Sequence, residues 1–322
     1  MSENGFLPKG ILKNGHVNTI WPNLFRVVND IGLTRKRIEL PDGDFVDIDI
    51  KLDGRNTCVL IMHGLEGNSK RPYMLGMAKR CWDAGHDVIL MNHRSCSEEP
   101  NRILEAYHSG KTIEVELILN YVNTQFDYEN IAIVSFSMSG NMALKYAGDP
   151  IHEKPKVLKA IVAISTPCDL TSSVYQLEKG FNRVYMRRFI KTLKQKAAQK
   201  LETFPEAPYT LEEVRKTKTF RDIDEYFTAR VYGFKSALDY WQKSSCKPYI
   251  SNIDIPTLIL NAQDDPFLAP ECYPVQECAS NNCVELEMPK YGGHVGFVGD
   301  LKMETTYAEE RVVEFLASQL IN

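Results

Sequence analysis

The stretch Ile131–Gly148, IAIVSFSMSGNMALKYAG, changes character half-way along. Ile131-Ala132-Ile133-Val134 is a short apolar, β-branched run of the kind a strand buried on both faces requires. Ser135-Phe136-Ser137-Met138-Ser139-Gly140 turns the chain, and an amphipathic helix follows with Met142, Leu144, Tyr146 and Ala147 as its expected packed face. A strand that turns sharply into a helix with serine at the corner is a nucleophile elbow. There the hydroxyl stands clear of the sheet, and the helix N-terminus favours developing negative charge. The usual pattern is Gly-x-Ser-x-Gly, because strand and helix approach closely on either side of the serine. Here Ser135 and Ser139 occupy the glycine positions, so the motif needs support from the rest of the chain; alone it reads as a serine-rich helix start.

Working outward, the alternation of strand and helix persists on both sides of the elbow. Arg37–Leu40 and Phe45–Ile50 read as a hairpin around Pro41-Asp42-Gly43-Asp44, the second strand alternating as a half-exposed one. Cys58–Met62, Val88–Met91, Ala160–Ile164, Pro256–Asn261 and Val284–Met288 are further buried strands. Helices are expected over Ser69–Ala84, with Ser69 as cap, over Gly110–Gln125, with Ile113, Leu117, Ile118 and Tyr121 on one face, and over Thr305–Leu320. Residues 1–34 show little periodicity and read as a packed arm. The pattern predicts a mostly parallel, twisted sheet of about eight strands, covered by helices on both faces. Its core spans 1–170 and 246–322, and a helical cap insertion is expected over 171–245. Within the cap, Arg187–Lys200 is a basic amphipathic segment; a cap helix with a solvated basic face is favoured over peripheral contact with a membrane.

Composition narrows the function. The chain has 322 residues, 43% hydrophobic and 25% charged, with a formal net charge of −4. That gives no argument for nucleic acid as a partner. No apolar run reaches the roughly 20 residues of a membrane span, and the N-terminus lacks the marks of a signal peptide. Cys58, Cys81, Cys96, Cys168, Cys246, Cys272, Cys278 and Cys283 form no Cys-x-x-Cys and no zinc spacing, so no metal is expected and a reducing cytoplasm is the simplest location. Oligomeric state is not legible.

Three candidates follow apolar strands in the order Ser137, an Asp, His294. Serine is a weak nucleophile that needs an adjacent base, and the imidazole needs a carboxylate on its other nitrogen. The acid is Asp264 or Asp265. Asp265 is preferred because two residues then leave the strand before it, although it also suits a helix cap ahead of Pro266. His63-Gly64-Leu65 after an earlier strand places the Leu65 N–H to complement that of Met138 as an oxyanion hole. His63 itself reads as a satisfied loop histidine.

These residues, with Asn92–Asn101, Tyr107-His108-Ser109-Gly110, Asp264-Asp265-Pro266-Phe267, Gly292–Phe297 and Gly15–Ile20, resemble the YheT-like α/β-hydrolases. That group includes the animal α/β-hydrolase-domain proteins one and three. The resemblance spans nearly the whole chain. It implies an α/β-hydrolase fold, Ser137 as nucleophile, Asp265 as acid and His294 as base, and hydrolysis of carboxylic esters, lipid-like ones included, without a cofactor. Animal members carry an N-terminal membrane anchor, not expected here. Departures are Ser95, Glu98, Ser135 and Ser139, where the family tends to have glycine. The expectation is thus a serine esterase of small-molecule, apolar acyl esters. A thioesterase or phospholipase on the same triad, or a non-catalytic ligand-binding protein, are the alternatives.

Overall fold

The computed structural model describes residues 5–29 and 31–320. Eight strands form one sheet: β1 (Thr34–Glu39), β2 (Phe45–Lys51), β3 (Thr57–Met62), β4 (Asp87–Asn92), β5 (Asn130–Phe136), β6 (Leu158–Ile164), β7 (Thr257–Leu260) and β8 (Val284–Glu287). Their order is β1-β2-β4-β3-β5-β6-β7-β8, with the β1-β2 and β2-β4 pairs antiparallel and the pairs from β4 onward parallel. The helices are α1 (Gly15–Phe25), α2 (Pro72–Asp83), α3 (Ile113–Gln125), α4 (Met138–Gly148), α5 (Leu170–Leu177), α6 (Asn182–Thr203), α7 (Leu211–Lys216), α8 (Phe220–Ile223), α9 (Ala229–Tyr232), α10 (Ala237–Ser244), α11 (Val275–Ala279) and α12 (Tyr307–Gln319).

The central strands are apolar throughout because both faces are covered. Cys58, Leu60 and Met62 of β3 point into one core with α3 and α4, and Val59 and Ile61 into the other with α2 and α12. From Leu170 to Asn252, between β6 and β7, the described chain is helical and has its own apolar cluster, including Met186, Ile190, Phe220 and Phe227.

Four local expectations give way to tertiary structure. β2 is not half-exposed: Asp47 and Asp49 are 1% and 6% accessible. Arg37 and Arg35 pair with them at 2.8 Å, and Ser97, Ser69 and Asn92 complete their hydrogen bonds, which is how buried carboxylates are tolerated. Ser69 therefore does not cap α2, which starts at Pro72. In α3 the buried face is Val115, Ile118, Leu119 and Val122, while Ile113 is 47% exposed. Buried Arg94 draws Glu114 inward at 2.6 Å, and that rotates the helix.

The N-terminal arm contains a regular helix, α1, capped by the Asn14 side chain. It escapes an apolar reading because its buried residues include Asn18 and Thr19. Asn18 donates to the Leu12 and Val298 carbonyls and accepts the Val298 N–H. Just beyond the helix, Arg26 grips Glu309 of α12 at 2.6 and 2.8 Å, both side chains almost wholly buried.

Candidate active site

Ser137 sits where β5 becomes α4, with φ 54° and ψ −118°. A non-glycine residue holds that backbone only where its surroundings impose it. Here the Ser137 N–H donates to the Ile164 carbonyl at 2.8 Å, which pins the corner to β6. Close approach explains the nearby glycines. A Cβ on Gly64 would stand 3.0 Å from the Ser137 Cβ, and one on Gly140 would stand 1.9 Å from Thr166 Oγ1.

The two serines in glycine positions are accommodated by hydrogen bonds. Ser135 Oγ donates to the Val162 carbonyl at 2.9 Å within the sheet. Ser139 Oγ donates to the His63 carbonyl at 2.5 Å and lies 2.7 Å from His93 Nε2. Its proton being given to His63, it accepts from His93 Nε2–H. The His93 N–H in turn donates to His63 Nε2 at 3.2 Å, and His63 Nδ1–H to the Gly64 carbonyl at 2.7 Å. Burial lowers the His63 pKa to about 4 and that of His93 well below the ordinary value, so both are neutral near pH 7. Ser139 thus straps the end of β3 to the first turn of α4. At the other two departures, Ser95 and Glu98 adopt φ of 59° and 78°, the left-handed conformation glycine would hold without strain.

His294 Nε2 is 2.9 Å from Ser137 Oγ, and its Nδ1 is 2.8 and 3.1 Å from the two Asp265 oxygens. Asp265 Oδ1 also accepts the Phe267 N–H at 2.8 Å, and the Phe267 ring stacks on the imidazole at 4.0 Å. With its Nδ1 proton held by Asp265, the imidazole presents the Nε2 lone pair to the serine hydroxyl. Asp264 faces elsewhere: its Oδ1 accepts the Gly293 N–H at 2.8 Å, and burial pushes its carboxyl up to about 6. The histidine loop is braced by α1, since His294 N–H donates to Thr19 Oγ1 at 2.8 Å. A Cβ on Gly293 (φ 59°) would meet the Gly15 carbonyl at 2.5 Å, so this contact needs glycine.

The N–H groups of Leu65 and Met138 meet no acceptor among the described residues. Both residues line a cavity of about 220 Å³ beside Ser137 and His294. Much of its wall is apolar and comes from the helices after β6, with Leu170, Val174, Phe189, Leu193 and Phe227 among the lining side chains.

Comparison with known proteins identifies the family of this fold. A family described as alpha/beta hydrolase fold matches residues 57–300. The chain belongs to the α/β-hydrolase family. Within it the chain is YheT-like: it is 34% identical to the candidate esterase YheT of Escherichia coli (strain K12), covering 98% of this chain and 94% of that protein. It is 25% identical to Phospholipase ABHD3 of Homo sapiens over 88% of this chain and 71% of that protein. Among solved structures, the Pyrococcus furiosus esterase Pf2001 superposes with a TM-score of 0.59 at 14% identity, covering 92% of this chain and 99% of that one, a likeness of fold. This YheT-like chain is a hydrolase.

Several residues of the candidate site carry no sequence signal of their own. Thr19 and Phe267 were visible only inside motifs of the resemblance, and the Ser139–His93 bond joins residues far apart in the chain. The basic face of Arg187–Lys200 also departs from expectation. Arg187, Arg188 and Lys191 are exposed, but Lys196 reaches Glu66 at 2.8 Å and Lys200 reaches the carbonyls of Asn101 and Ile103. Burial lowers the Lys200 pKa to about 8. These two ammonium groups face inward because the loops after β3 and β4 offer buried acceptors.

Proposed function

We propose that this hydrolase is a serine esterase acting through an acyl-enzyme. Ser137 is the nucleophile, His294 the general base and then acid, Asp265 the group that orients His294, and the Leu65 and Met138 N–H groups the oxyanion donors. As the Ser137 oxygen attacks the ester carbonyl, its proton passes to His294 Nε2. Asp265 stabilises the imidazolium, and the two N–H groups receive the charge that develops on the carbonyl oxygen. His294 then protonates the departing alcohol, and a water activated by the same nitrogen releases the acid.

One observation carries the reading: a serine hydroxyl 2.9 Å from an imidazole whose other nitrogen is bound to a buried carboxylate, beside an apolar cavity. The cavity's lining favours apolar acyl chains, each buried methylene contributing about 0.8 kcal/mol. Relatives named as a phospholipase and as a monoacylglycerol lipase favour lipid-like esters in particular. We read residues 171–245 as the cap that forms the acyl pocket. All eight cysteines are free, which suits a reducing cytoplasm. No helix among the described residues is long and apolar enough to cross a membrane.

The test is fluorophosphonate labelling of wild type against Ser137→Ala, followed by a panel of esters, thioesters and phospholipids. Labelling confined to wild type, with ester turnover lost in Ser137→Ala, is expected. An unlabelled wild type that turns over none of these substrates would overturn the assignment in favour of a binding protein.

A further inference from the structure

Glu66 follows Leu65 in the turn after β3 and has φ 54°, a conformation imposed on a non-glycine residue by its neighbours. The Tyr107 hydroxyl accepts the Glu66 N–H at 3.0 Å and gives its own proton to the Glu66 carboxylate. Lys196 Nζ donates to the same carboxylate oxygen at 2.8 Å. The Glu66 side chain is 5% exposed, so without Lys196 its charge would be left largely uncompensated. Tyr107 also stacks on His93 at 5.2 Å, and His93 binds Ser139 at the elbow. The clamp therefore spans from α6 across the Leu65 turn to α4.

Lys196 lies on α6, the helix that also sends Phe189, Leu193 and Ala197 to the cavity, and Leu65 and Glu66 line the same cavity. A chain packed against those three side chains bears on the helix that holds Glu66. Misplacing a donor by about 1 Å lowers a rate by about 10²-fold, so a small displacement of this turn matters.

We propose that Glu66 is a positioning residue for the Leu65 oxyanion donor and that Lys196 couples it to the acyl chain along α6, so that filling the cavity speeds acylation as well as strengthening binding. This rests on the esterase reading above.

The experiment measures the acylation rate constant, from the burst of nitrophenolate, and the binding constant for nitrophenyl esters of graded chain length. Wild type should show acylation climbing about tenfold from the shortest ester to the one that fills the cavity, the scale of a partial donor displacement. Lys196→Met should flatten that climb to less than about twofold while binding still tightens with each methylene. Tyr107→Phe should flatten it from the other side of the carboxylate, and Lys196→Arg, which keeps a cation for Glu66, should restore it. Should Lys196→Met fail to fold, the Tyr107→Phe and Lys196→Arg pair decides alone. A climb retained in Lys196→Met or in Tyr107→Phe, or lost in Lys196→Arg, overturns the coupling. So does a wild type that turns esters over with a flat acylation rate, and that result leaves the esterase reading intact. A wild type with no Ser137 labelling and no ester turnover overturns both.

Discussion

Ser137 and Lys196 both face the cavity, but they reach it by different routes. Ser137 is fixed by backbone: it stands between a strand buried in the sheet and a helix, with its N–H bonded to β6. Its partners His294 and Asp265 also leave the carboxyl ends of parallel strands, the place where open α/β sheets gather functional groups. Lys196 belongs to a helix between β6 and β7, and it meets the core through a long, flexible side chain. On the proposed reading, the chemistry would sit on the sheet and the selectivity on the helices that reach it through side chains. Changes on the sheet side should therefore alter rate for every substrate, and changes on the helical side should alter the dependence on substrate.

The largest break in this contrast is Ser137→Ala. Loss of the nucleophile should lower kcat/KM by about 10⁴-fold or more for short and long esters alike, with thermal melting unchanged. Next is Ser139→Gly, which restores the family's usual residue. It removes the hydrogen bond to the His63 carbonyl, so the strap between the two proposed oxyanion donors is lost. The expected result is a fall of about tenfold in kcat/KM across the ester series, the effect of a donor displaced by part of an ångström. Equal or higher activity would mean that the serine is merely tolerated. On the helical side, Leu193→Ala should weaken binding of the longest ester by about 4- to 15-fold, the worth of one or two methylene contacts, and the effect should fade for the acetyl ester. A uniform loss at all chain lengths would contradict the division of labour.

The smallest effect tests the helical side's stability. Asp224 accepts from Trp241 Nε1 at 2.7 Å and from Thr228 Oγ1 at 2.8 Å, and burial raises its pKa to about 6. A carboxyl raised in the folded state binds its proton more tightly than in the unfolded chain. Wild type therefore loses stability as pH rises from the unfolded value near 3.9 through about 6. Asp224→Asn removes that slope. Melting temperatures of the two proteins should diverge between about pH 4 and pH 6.5 in favour of the variant, and parallel curves would refute the assignment.

The eight strands, the parallel architecture and the order of Ser137, an Asp and His294 were legible because each rests on a local pattern. Apolar runs mark buried strands, and glycines or serines mark sharp turns. Where a residue's neighbours come from elsewhere in the chain, the pattern misled. Asp47 and Asp49 read as solvent-facing until Arg35 and Arg37 buried them. Ile113 read as core until Arg94 turned Glu114 inward. The arm read as irregular because α1 buries Asn18 and Thr19, polar residues that brace the histidine loop.

By itself, the sequence determined which residues stand at the strand ends and what chemistry their side chains offer, since period and residue type are properties of a short window. Only the tertiary structure decided that Asp265 rather than Asp264 meets the imidazole, that Ser139 joins two loops, and that Lys196 turns inward to Glu66. The reason is physical: a buried polar group must find a partner, and the partners here are brought in by folding from dozens to hundreds of residues away.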